Sequence, residues 1–154
     1  MPWAMSEPRT VDETRAHLLR GAARFVAGQD FQYSVFDSDE KEILGGAGLH
    51  ARSEPGCFEI GYWIRANQVN QGFATECARA LTIAALETSG VERVEIDCDP
   101  ANVASRRVPE KLGYQLLERR EGNKRTPLGE PRDTLVFQIS RLADLASSLC
   151  LRPM

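Results

Sequence analysis

Three observations in the 154-residue sequence predict an α+β fold built on a mixed sheet. Short segments alternating apolar with polar residues recur along the chain, separated by polar, glycine-rich or proline-rich turns. Two of the connections carry helical periodicity, and a third helical stretch stands ahead of the first strand. The resulting order is helix, three antiparallel strands, helix, strand, helix, two strands, without repeats or an interdomain linker. The length suits one domain, residues 1–154, with a real core.

The first helix opens on "TVDE", a capping box in which Thr10 is the N-cap and Glu13 the third helical residue. Val11, Leu18, Ala22 and Phe25 or Val26 follow at roughly helical spacing, and Gly28 closes it. Phe31, Tyr33 and Val35 alternate as a strand. An acidic turn leads into a glycine-laced second strand from Ile43 to His50, completing a hairpin. "GCFEIGYWIRA" reads as a third strand, where Gly61 marks a bulge or a close backbone approach. The helix from Ala74 puts Ala74, Cys77, Ala78, Leu81, Ala84 and Ala85 on one face, small enough to lie close against a sheet, and Ser89-Gly90 ends it. In "VERVEIDCD", Val94, Ile96 and Cys98 alternate with Glu95, Asp97 and Asp99; the last two read as solvated charges. Asn102 caps a short helix stopped by Gly113, and Tyr114 after it reads as core. Pro109 is out of place there, because it removes an N–H and bends a helix. "YQLLERRE" and "DTLVFQISR" are the last strands, separated by a loop, "GNKRTPLGEPR"; the basic run "RREGNKR" reads as solvated.

Composition narrows the function. A formal net charge of −3 argues against direct binding of nucleic acid. No apolar run approaches the ~18 residues of a membrane span. "MPWAMSEPRT" lacks the regions of a signal peptide, so a cytoplasmic protein is expected. Cys57, Cys77, Cys98 and Cys150 are scattered through apolar contexts and read as reduced core thiols. With His17 and His50 as the only histidines, no metal-ligand spacing exists and no metal is expected. His50 ends a strand that can face a groove; a lone histidine without a partner is more often structural.

"VNQGFA", Val69 to Ala74, joins a strand to a helix, so its amides stand where a helix start attracts an anion. A P-loop would need a Gly-Lys-Ser/Thr ending and a dinucleotide fold more glycines, so the turn alone is weak evidence. It does not stand alone. "FEIGYWIRANQVNQGFATECARAL", followed by "DPANVASRRVPEKLGY", resembles the GNAT superfamily of acyl-CoA-dependent N-acyltransferases. More narrowly it resembles the RimJ/RimL-type branch, which acetylates protein N-termini and various small amines. "MPWA", "ILGGAGLHAR" and "GEPRDTLVFQISR" extend the match over nearly the whole chain.

The resemblance implies a mixed, mostly antiparallel central sheet flanked by helices, and acetyl-CoA as co-substrate. The family's phosphate motif falls on Val69, Asn70, Gln71, Gly72, Phe73 and Ala74, with Thr75 next to it. Val69 stands where a Gln or Arg is usual, which loses one polar group. Tyr62, Trp63 and Ile64 would lie along the pantetheine arm, with one backbone N–H polarising the thioester carbonyl. Glu59 matches the family's strand glutamate, a base or amine anchor acting directly or through water. Between Phe58 and Ile60, partial burial would raise its pKa toward a usable range. Asn102 and Ser105 match the second cofactor motif, with Ser105 as hydrogen-bond or proton donor to the coenzyme sulfur. Many members carry a tyrosine acid where this chain has Pro109, though the RimJ/RimL-type branch often does without it. Family members also begin with a strand and a long helix ahead of the "LPW" segment, whereas here the match starts at residue 2. That implies an N-terminally truncated domain, an open sheet edge, an acceptor groove short of a wall, and a homodimer somewhat favoured. The acceptor would be an amine, on a protein N-terminus or a small molecule. The alternatives are a coenzyme-A-binding relic without turnover and a nucleotide-binding regulatory domain, for which the residues are lacking.

Overall fold

The computed structural model describes residues 10–146, and its first helix starts as the capping box requires. The Glu13 N–H donates to Thr10 Oγ1 at 3.2 Å, and the Thr10 N–H donates to Glu13 Oε2 at 2.8 Å. Helix α1 (Val11–Val26) ends before Gly28, whose φ of +70° lets the chain reverse. No residue of α1 is buried; Val11 and Leu18 face outward, so this apolar spacing meets no core. Its C-terminal end is held by Phe25, edge-on to Phe31 and Tyr33 with ring centroids 5.1 and 5.7 Å apart.

Among the described residues six strands form one sheet: β1 (Asp30–Phe36), β2 (Ile43–Ala51), β3 (Cys57–Ile64), β4 (Arg93–Cys98), β5 (Gln115–Arg125) and β6 (Pro131–Ile139). Their order is β1-β2-β3-β4-β6-β5, and every neighbouring pair is antiparallel except β3 with β4. The parallel pair needs a crossover, which α2 (Phe73–Leu86) supplies; α3 (Val103–Leu112) links β4 to β5. This is the expected α+β fold with a mixed, mostly antiparallel sheet. Among the described residues β1 and β5 are the edge strands.

Two readings change. Residues 122–125 of the expected loop belong to β5, and Pro131 starts β6. All of β5 is exposed, so no apolar alternation marks where it ends. Pairing holds it to β6, with Asp133 accepting from the Gly122 N–H at 2.8 Å and from Arg119 at 2.6 Å. The predicted face of α2 meets the core through Ala78 and Ala85, with Ala74 and Leu81 packed beside them, but Ala84 is exposed and the buried stripe also takes in Thr75 and Thr82. Threonine can point inward because its hydroxyl is satisfied there: Thr82 donates to Ala78 O at 2.6 Å and meets the Tyr114 hydroxyl at 2.6 Å. Tyr114 is a core residue, as expected.

Helices α2 and α3 cover one face of the sheet, over Leu49, Ile60, Val94, Ile96, Leu135, Phe137 and Ile139. Cys57 and Cys98 are buried free thiols and Cys77 is a half-buried one; Cys150 and "MPWA" lie outside the described residues. Among the described residues no helix is long and apolar enough to cross a membrane.

Candidate active site

Strands β3 and β4 pair only through Cys57–Glu59 and Arg93–Glu95. Beyond Glu59 the strands diverge, although β3 runs on to Ile64 and β4 to Cys98. The backbone groups that β3 turns toward β4 past that point have no strand partner, and such groups call for another hydrogen-bonding chain or water. The split opens a cleft of about 470 Å³, lined by Glu59, Gly61, Tyr62, Asp97, Asn102 and Ser105 among others. Trp63 leaves on the face opposite the helices and lies over Gly46, where a Cβ would come within 2.5 Å of its indole nitrogen. Ile64, half-buried, ends the strand.

A 3₁₀ turn at Ala66–Gln68 then leads through Val69, Asn70 and Gln71 to Gly72. Asn70 and Gly72 both have left-handed backbones, φ +63° and +83°, and Gly72 is the N-cap of α2 without any side-chain cap. The leading N–H groups of Phe73, Ala74 and Thr75 are therefore left uncapped at the positive end of the helix. Gln71 donates to Gln68 at 3.1 Å across the turn. Thr75 offers only its backbone there, since its side chain is in the core.

Asn102 caps α3 as its sequence suggests, with Oδ1 accepting from the Ser105 N–H at 3.1 Å. Pro109, the residue that fits the helix worst, has a structural counterpart. Proline has no N–H to donate four residues back, which frees the carbonyl of Ser105. The Tyr62 hydroxyl donates to that carbonyl at 2.8 Å and the Cys98 thiol at 3.4 Å. Burial pushes the Tyr62 hydroxyl far above the ordinary tyrosine range and Cys98 up to about 11, so both keep their protons and act as donors. The missing helix bond is thus replaced by a tie from β3 across the mouth of the cleft to the first turn of α3. Ser105 Oγ lies 3.4 Å from the same tyrosine hydroxyl.

The sheet face away from α2 and α3 carries a row of polar residues. Register pairs Asp30 with His50, His50 with Glu59, and Glu59 with Glu95, so the four stand abreast across β1–β4 at the root of the split. Glu59 is ion-paired with Arg52, and Glu95 is 3.3 Å from Arg93. Gly61 pairs with Gly48 in unbroken register, so it marks no bulge, and no backbone comes close to it; the ring of His50 lies beside both glycines. His50 has the partner the sequence could not reveal, Asp30 at 3.2 Å. Asp97 and Asp99 are not solvated charges either. Asp99 is ion-paired with Arg132 and accepts from the Ala101 N–H at 2.7 Å. Asp97 Oδ1 is buried with no hydrogen-bond partner, and desolvation pushes that carboxyl above the usual range against Lys124, Arg120 and Arg52. Among the described residues no three His, Cys, Asp or Glu side chains gather as a metal site.

The sheet thus splits between two parallel strands, with an uncapped helix start and a polar row at the opening. The chain belongs to the acetyltransferase (GNAT) domain family, which it matches over residues 1–115. It is similar to the uncharacterized N-acetyltransferase YjdG of Bacillus subtilis, 34% identical over 83 residues, 53% of this chain and 49% of that protein. The uncharacterized N-acetyltransferase YoaA of the same organism is 26% identical over 141 residues, 89% of this chain and 77% of that protein. The chain spans about half the length of the first curated relatives it matches. Among solved structures, RimL, a ribosomal L7/L12 alpha-N-protein acetyltransferase in complex with coenzyme A, superposes with a TM-score of 0.78 at 22% identity, over 86% of this chain and 73% of that one. The ribosomal-protein-S5-alanine acetyltransferase of Vibrio fischeri gives 0.80 at 17% identity, over 90% and 78%. These two likenesses are of fold.

Proposed function

We propose that this chain is an N-acetyltransferase moving an acetyl group from acetyl-CoA to a primary amine by direct transfer, without a covalent enzyme intermediate. The observation that carries the proposal is the split between β3 and β4 in a member of the acetyltransferase family, with the uncapped start of α2 beside it. Val69, Asn70, Gln71, Gly72, Phe73, Ala74 and Thr75 hold the pyrophosphate, chiefly through the free amides at the helix start. Tyr62, Trp63 and Ile64 offer backbone to the pantetheine arm, and one N–H polarises the carbonyl. Asn102 keeps the first turn of α3 in place, and Ser105 supplies the proton that the departing thiolate needs. Glu59 receives the acceptor amine as base or anchor. The acceptor is a protein N-terminus or a small amine; among proteins of similar fold, RimL is a ribosomal L7/L12 alpha-N-protein acetyltransferase and MccE a microcin C7 self-immunity acetyltransferase.

Calorimetric titration with acetyl-CoA, against coenzyme A, ATP and NAD, is the test. Selective saturable binding followed by thiol release with N-terminal peptides or small amines is the expected result. Binding without turnover on any amine would leave a coenzyme-A-binding relic. A folded protein that binds none of the four would overturn both readings.

A further inference from the structure

The polar row at the root of the split contains a histidine held as a base is held. His50 Nδ1 is 3.2 Å from Asp30 Oδ1, and the other oxygen of that carboxylate is 2.6 Å from the Arg24 guanidinium. Asp30 is 6% exposed, so the pair is fixed from behind. A carboxylate only accepts, which puts the proton of the neutral ring on Nδ1 and the lone pair on Nε2. Nε2 is at the cleft. Cβ atoms on Gly48 and Gly61 would stand 3.2 and 3.5 Å from it, and both glycines line the cleft with His50 and Glu59. Among the described residues Nε2 has no hydrogen-bond partner. Glu59, directly opposite on β3, already has Oε2 engaged by Arg52.

We propose that His50, oriented by Asp30, takes the proton from the acceptor ammonium, while Glu59 anchors that ammonium; this rests on the acetyl-transfer reading above. Glu59 is already engaged by Arg52, whereas the Nε2 lone pair of His50 stands at the cleft, so the imidazole is the better placed base. The acceptor R–NH₃⁺ gives one proton to Nε2, and the nitrogen lone pair forms the N–C bond at the acetyl carbonyl carbon. The C–S bond breaks with its electron pair on sulfur. The second nitrogen proton reaches the thiolate by way of the Ser105 hydroxyl, and His50 returns its proton to solvent. Asp30 is a positioning residue. The charged and titratable groups of the polar row and the cleft lining on the elements around the ring are Asp30 and Tyr33 on β1, Arg24 and His17 on α1, Arg52 after β2, Glu59 and Tyr62 on β3, Glu95, Asp97 and Cys98 on β4, Asp99 after it, Lys124 on β5, and Arg132 and Asp133 on β6.

The experiment pairs nitrogen NMR of the His50 ring with pH profiles of turnover for wild type, His50→Gln and Asp30→Asn. The neutral wild-type ring is expected as the Nδ1–H tautomer, shifting when butylammonium is added as a probe, and Asp30→Asn is expected to lose that tautomer preference. His50→Gln is expected to bind acetyl-CoA as wild type does, to lose about 10²-fold or more in kcat, and to lose the ascending limb of the kcat/KM profile. An Nε2–H wild-type ring, or an unchanged profile and rate in His50→Gln, would overturn the assignment. Failure of the acetyl-transfer reading looks different: wild type itself would release no thiol from acetyl-CoA with any amine, whatever the ring's tautomer.

Discussion

The tie between Tyr62 and the Ser105 carbonyl makes a coupling that can be measured. Removing the hydroxyl in Tyr62→Phe leaves that carbonyl with the Cys98 thiol at 3.4 Å, a weak donor. Losing one partner of a partly buried hydrogen bond costs about 1–3 kcal/mol. For a chain of this length each kcal/mol lowers Tm by roughly 2–4 °C. Pro109→Ala restores an N–H at position 109, four residues beyond Ser105 and able to close the ordinary helix bond. In that background the tyrosine hydroxyl is redundant, so Tyr62→Phe should cost about 1 kcal/mol less than in wild type. Urea denaturation of wild type, the two single variants and the double variant closes the cycle. Additivity within about 0.3 kcal/mol would refute the claim that proline and tyrosine share one carbonyl. The same tie holds the first turn of α3 against β3. Tyr62→Phe should therefore also lower acetyl transfer, with the loss relieved by Pro109→Ala.

Three further outcomes follow from the geometry. Glu59→Gln should lower kcat/KM by about 10²-fold or more with acetyl-CoA affinity kept; Arg52→Ala, which breaks the ion pair but keeps the carboxylate, should lower it far less, and equal losses would mean that the ion pair is all that matters. Asp97→Asn should stabilise the protein at pH 7 by about 1 kcal/mol, because Asp97 Oδ1 is buried and unpartnered. Since the folded carboxyl holds its proton more tightly than the unfolded one, wild-type stability is fullest at acid pH and falls as pH rises through the raised pKa; thermal melts should show that slope flattened in the variant, and parallel curves would contradict the assignment. Gly113→Ala should lower the urea midpoint much more than Gly72→Ala. Both have left-handed φ, +87° and +83°, but a Cβ at Gly113 would sit 2.5 Å from the Asp144 carbonyl oxygen, whereas at Gly72 it would meet nothing within 4 Å.

Local chemistry was readable in the sequence and cross-strand chemistry was not. Thr10 and Glu13, Asn102 and Ser105, and the stop at Gly113 each act within one helical turn, so their residue types announce them. The end of strand β5, residues 122–125, hid in a polar, basic run because it is exposed on both faces and presents no apolar alternation, whereas "YQLLERRE" before it is legible as a strand. His50 looked solitary because Asp30 lies twenty positions away, and only the β1–β2 register brings the two together. Pro109 looked like a defect because its compensation comes from β3, on the far side of the split. These three cases have one cause: a motif encodes what a residue does to its own backbone, while register decides whose side chain it meets. Family resemblance could therefore point to Glu59 and Ser105 by position, yet the row that joins Glu59 to His50, and the tie that holds Ser105, depend on how β1, β2 and β3 align. A variant that moves the β1–β2 register without touching any of these side chains should for that reason disturb the proton path while leaving the helix caps, and the anion-facing start of α2, as they are.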